Sequence, residues 1–108
     1  MKIIRKHLDT KRYSSYEDES LSDFYIDMLK EMGFEEIRYF YGTGSYCGTG
    51  ELIALKDGLW YQHDMGHCSC YGPVDSDITF TKGFPTLDAL LENCSDDLRQ
   101  DVKILIED

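Results

Sequence analysis

The sequence predicts an α+β domain of two layers, an antiparallel sheet of about four strands packed with an N-terminal helix and one or two C-terminal helices. Three observations predict it. Apolar residues recur at spacings of three and four after residue 20 and again after residue 86, the pattern of amphipathic helices. Between them lie runs rich in aromatic and branched residues, the composition of strands. Two of these runs are joined by Asp57-Gly58, the dipeptide that favours a type I′ hairpin turn. The chain has 108 residues, 42% of them hydrophobic, which is enough for one packed domain spanning 1–108.

The first twelve residues carry five basic groups and one acidic group, a net charge of +4, and are expected to form a basic arm or first strand. Residues 13–108 form an acidic body with six basic and twenty acidic groups, a net charge of −14. The first helix is expected from Ser20 to Met32. Leu21, Phe24, Met28, Leu29 and Met32 share its apolar stripe, Ser20 and Asp23 form a capping pair, and Gly33 supplies the stop onto which Phe34 folds back.

Glu36 to Tyr41 reads as a strand, followed by a glycine-rich connection from Gly42 to Gly50. Glu51 to Lys56 and Leu59 to Asp64 flank the Asp57-Gly58 turn, and this hairpin is the most specific local signal in the chain. After a loop around Gly66 to Pro73, Asp77 to Lys82 alternates as a further strand. Thr86 caps a short helix carrying Leu87, Leu90 and Leu91, with Pro85 at its boundary. Ser95 caps a second helix carrying Leu98, Val102 and Leu105, with Asp96 and Asp97 complementing its dipole.

Charge and composition exclude several functions. The formal charge of −10 disfavours direct attraction to a phosphate backbone, so no nucleic acid is expected as a direct partner. The purest apolar run, Leu52 to Leu55, is far short of a membrane span. The N-terminus lacks the apolar stretch of a secretion signal, so the expected location is the cytoplasm. There Cys47, Cys68, Cys70 and Cys94 are expected as reduced thiols or metal ligands.

Three constellations bear on chemistry. The glycine-rich segment leads into a strand and lacks a Gly-Lys-Ser/Thr ending, whereas phosphate-binding loops lead into a helix. His63, His67, Cys68 and Cys70, with Cys47 if its loop lies close, offer the ligand types of zinc; one residue between the last two cysteines is tighter than the usual two. The expectation is a tight structural loop with buried thiols and no cofactor, and zinc is the alternative. A nucleophilic Cys68 or Cys70 would draw on His63 and Asp64, but no helix start activates either thiol, so no enzyme activity is expected. Finally, Trp60 and Tyr61 lie near Tyr39, Tyr41, Tyr46 and Tyr71 in an aromatic-rich region. Alternation sends one of Trp60 and Tyr61 into the core and the other outward; with Tyr71, Asp75 and Asp77 they form the expected binding surface.

The stretch Glu51-Leu-Ile-Ala-Leu-Lys-Asp-Gly-Leu-Trp-Tyr followed by Gly66-His-Cys-Ser-Cys-Tyr-Gly72 resembles small, mostly uncharacterised bacteriophage and prophage proteins. The resemblance covers about residues 41 to 94 and implies a strand, a hairpin turn, a second strand, a His-Cys-Ser-Cys-Tyr-Gly loop and an acidic helical tail. It carries no catalytic residues over. Taken with the charge, it leads to the expectation of a non-enzymatic, phage-type protein in the host cytoplasm. Its partner would be a host protein with a basic nucleic-acid-binding cleft, bound by nucleic-acid mimicry and so inhibited or modulated. The alternative is a small zinc-binding module organised by the His-Cys loop.

Overall fold

A computed structural model describes residues 1–9, 11–44, 46–67 and 82–107. The elements run β1 (Lys2–Arg5), β2 (Glu17–Asp18), α1 (Asp23–Glu31), β3 (Glu36–Gly44), β4 (Cys47–Lys56), β5 (Leu59–Asp64), α2 (Leu87–Glu92) and α3 (Asp96–Ile106). The α+β class holds. The sheet order is β1-β3-β4-β5, with β2 pairing β3 beyond the end of β1.

Two details differ from the expected sheet. First, β1 runs parallel to β3, from Lys2 beside Glu36 to Arg5 beside Tyr39, and the other strand pairs are antiparallel. The long excursion through α1 supplies the crossover that a parallel pair requires. Second, the helices lie on both faces, making three layers. Ile37, Tyr39, Tyr41, Leu52 and Ala54 form one core with Leu29 of α1. The intervening Phe40 and Ile53 form the other with Leu90, Val102 and Leu105. Tyr39-Phe40-Tyr41 and Leu52-Ile53-Ala54 are apolar at both parities, so a sheet with one wet face would expose half of them.

Helix α1 begins after Ser22 rather than Ser20, and Ser22 makes no side-chain capping hydrogen bond. Of the expected stripe, Leu21, Met28, Leu29 and Met32 do join the core on this side, with Tyr25 and Ile26 packed beside them, and only Phe24 departs, 67% exposed. Phe24 stands five residues from Leu29, about 140° around the helix. Gly33 does adopt the left-handed stop (φ +92°), and Phe34 is buried against the last turn.

The Gly42–Gly50 run is not a loose connection. Its two ends continue β3 and β4 in register as far as Gly44 beside Cys47. Glycine is needed where other backbone or rings press close: a side chain at Gly44 would collide with the Ser15 carbonyl, and one at Gly48 with the His67 ring. The Asp57-Gly58 turn is as expected, with φ of +53° and +76°. So are two of the caps: Thr86 Oγ1 accepts from the Ala89 amide at 3.1 Å, and Ser95 Oγ from Leu98 at 3.4 Å. The Asp77 to Lys82 strand lies outside the described residues apart from Lys82. Among the described residues, no helix is long and apolar enough to cross a membrane.

Candidate functional site

Glu51 interrupts the apolar inward face of β4. It shares parity with Ile53, so it points toward α3, and it stands opposite Asp64 on β5. Residues Asp97 and Asp101 are four apart on α3, hence on one helix face, and they close the same space from above. Glu51, Gln62, Asp64, Asp97, Leu98 and Asp101 line a cleft of about 370 Å³. Along Gln62 and Leu98 it adjoins a second cavity of about 280 Å³, walled chiefly by Phe84, Leu90, Cys94 and Leu98. One end of the combined cleft is anionic and the other apolar.

Glu51 is only 8% exposed, and its Oε2 accepts a 2.8 Å hydrogen bond from Gln62 Nε2. Burial first, and then the charge of Asp64, push its pKa from 4.5 up to about 8 against the opposing pull of the Gln62 hydrogen bond. Asp101, also buried, is paired with Arg12 and accepts a hydrogen bond from the Tyr13 hydroxyl at 3.2 Å. Burial raises its pKa while Arg12 and Tyr13 oppose the rise. Burial, reinforced by Asp101, pushes the Tyr13 hydroxyl to about 12. Among the described residues, no basic side chain is paired with Glu51, Asp64 or Asp97. The thiol of Cys94 is held protonated by burial and donates to the Leu90 carbonyl at 3.2 Å, which leaves it a poor nucleophile.

The residues singled out from sequence are distributed differently. Trp60 packs against the α2–α3 core and Tyr61 against the α1 core, where its ring meets Phe34 at 5.9 Å. Both are half-buried instead of one inside and one out, because both faces of the sheet are covered. Tyr39 and Tyr41 are core residues, whereas Tyr46 is exposed at the hairpin tip. Tyr71, Asp75 and Asp77 lie outside the described residues, as do Cys68 and Cys70.

His63 is buried and paired in register with Leu52, so it faces α1, whereas its neighbour Asp64 faces α3. That separation removes Asp64 as an orienting partner for a His63 base. His67 pairs with Gly48 on the α1 side, where Tyr41 Oη lies 2.5 Å from its Nε2 and the two rings stack at 5.9 Å. Cys47 precedes Gly48 on β4 and so falls on the opposite face. Among the described residues, no group of three or more histidine, cysteine or carboxylate side chains is arranged to hold a metal.

Sequence reasoning passed over Glu51, Gln62 and Asp101 as site residues. A signal was present: in Glu51-Leu-Ile-Ala-Leu the glutamate shares its parity with Ile53 and Leu55, a charge on a face expected to be buried. Comparison with protein-family models, curated proteins and solved structures yields no match.

Proposed function

We propose that this protein is a non-enzymatic acidic binding module that recognises a basic surface of a partner protein through the cleft between β5 and α3. The observation that supports this reading is Glu51, an acidic residue nine-tenths buried that lines the cleft and has no basic partner among the described residues. A buried carboxyl costs folding free energy whether it ionises unpaired or holds its proton at neutral pH, and a cation brought by a partner offsets that cost. The formal charge of −10 steers the protein toward surfaces that otherwise attract nucleic acid. A nucleic-acid-handling protein of a bacterial host is the partner class that this charge and the bacteriophage resemblance both favour.

The test uses the immobilised protein and a bacterial extract split on heparin into basic and flow-through fractions. Retention is expected from the heparin-binding fraction, with release by about 0.5 M salt, where screening confines charge interactions to a few ångströms. Duplex DNA should compete, and the combined variant Glu51→Gln, Asp64→Asn, Asp97→Asn should retain far less. Equal retention from both fractions, or retention indifferent to salt and to the variant, overturns the proposal.

A further inference from the structure

The two halves of the cleft differ in chemistry but share Gln62 and Leu98, so one occupant can reach both. Phe84 and Leu90 are buried and give the smaller half an apolar wall. Glu51, Asp64 and Asp97 give the larger half three carboxyl groups. Lys82 lines the apolar half and disfavours a cation at that end, which fixes the polarity an occupant must have.

We infer that the cleft docks an extended segment of the partner protein in which an arginine adjoins a leucine-sized apolar residue. The guanidinium enters among Glu51, Asp64 and Asp97 while the apolar side chain rests on Phe84, Leu90 and Leu98. This rests on the reading that the partner is basic, and it commits to where and through which side chains that partner is held. Arginine fits better than lysine because its planar fork of five donors can serve several carboxylates at once and sheds water more readily than an ammonium. The molecule seats an arginine of its own on the same wall, Arg12 on the buried Asp101, with Tyr13 completing that carboxylate's hydrogen bonds. The two cavities, about 370 and 280 Å³, are suited to side chains rather than to a folded element.

The experiment is a titration of the full-length, nitrogen-15-labelled protein with the peptide acetyl-Ser-Gly-Leu-Arg-Gly-Ser-amide, followed by amide chemical shifts. Two control peptides replace the arginine with neutral citrulline or the leucine with alanine. Saturable shifts are expected around Gln62, Leu98 and Asp101, weakened roughly tenfold by citrulline, since one charge-assisted hydrogen bond is worth about that factor. The alanine peptide should bind several-fold more weakly for want of the apolar contact. Asp64→Asn, a change at an exposed side chain that leaves folding intact, should weaken the arginine peptide several-fold and the citrulline peptide hardly at all. Arginine-dependent shifts centred elsewhere, for example on Asp23, Asp27 and Glu31 of α1, would overturn the cleft assignment and leave the basic-partner reading standing. Shifts at the cleft when the protein alone is concentrated would assign it to a second copy of the chain and overturn the inference. Absence of any arginine-dependent shift would overturn the inference, while retention of the heparin-binding fraction decides the basic-partner reading separately.

Discussion

Glu51 is buried, and it stands opposite Asp64 across the β4–β5 pair and beneath Asp101 of α3; burial first, and then these charges, make the folded protein hold its proton more tightly than the unfolded chain does. The consequence for stability has a definite sign. Because the folded value, about 8, lies above the ordinary 4.5, the folded state binds more protons across that interval, and stability falls as pH rises through it. Among the described residues, the charged and titratable groups around Glu51 are Asp64 from β5, Asp97 and Asp101 from α3, Arg12 and Tyr13 behind Asp101, and Cys94 after α2. Glu51→Gln keeps an acceptor for Gln62 and removes the titration. Urea unfolding should therefore find the variant close to the parent at about pH 5 and more stable by about 1–3 kcal/mol at about pH 8.5. Parallel pH profiles for the two proteins would assign the titration to another group. Glu51 was legible in the sequence as a wrong-parity charge, but Asp101 was not. On α3 it reads as one more acid, and only the chain's return through Arg12 and Tyr13 shows that it is buried.

At the scale of elements, the two hairpin tips make opposite demands on their residues. At one tip Tyr46 has a left-handed φ of +67° while its side chain is 87% exposed, so it bears the conformational cost with little packing in return. Tyr46→Asn should stabilise the fold by up to about 1 kcal/mol, since asparagine tolerates that conformation. At the other tip Gly58, at φ +76°, has no atom within 4 Å of the place where a side chain would start. Gly58→Ala meets no clash there and should still cost about 1–2 kcal/mol from the backbone alone. Thermal melts of both variants test the pair, and a shift of the same sign in both would contradict the argument. These tips also show what was legible. Asp57-Gly58, Thr86 and Ser95 act within a few residues of themselves, so the sequence reveals them. Gly44 and Gly48 answer to the Ser15 carbonyl and the His67 ring, which no local window contains, so from sequence the run reads as a connection rather than as strand. Periodicity placed Leu21, Met28, Leu29 and Met32 on the core side of α1, and missed that Tyr25 and Ile26 rather than Phe24 complete that side.

Over the whole molecule, the sequence separates a basic N-terminal segment from an acidic body, and the fold joins them along one edge of the sheet. Lys2 pairs with Glu36 at 3.7 Å, Arg5 and His7 meet Asp18 at 2.7 and 2.8 Å, and Arg12 pairs with Asp101. Asp18 is the hub, because its other oxygen accepts from the Leu8 amide at 2.9 Å and so fixes the chain where Leu8 enters the α2–α3 core. Burial alone would raise its pKa, but the His7 hydrogen bond, the Leu8 amide and Arg5 outweigh burial and hold it below 3.8. A depressed folded value means that its contribution is present above the unfolded pKa and is lost as pH falls through the folded one. Asp18→Asn keeps the shape and one acceptor oxygen but removes the charge that gathers Arg5 and His7. It should cost about 1–2 kcal/mol at neutral pH, a figure reduced from that of a fully buried pair because the side chain is 22% exposed. The difference from the parent should shrink in acid as Asp18 itself protonates. Hydrogen exchange should show where the loss falls: the amides that join β1 to β3 should exchange faster, while those of the β4–β5 hairpin keep their protection. Uniform acceleration across both would mean that the N-terminal segment unfolds only with the rest of the molecule, and that Asp18 stabilises the whole rather than the edge.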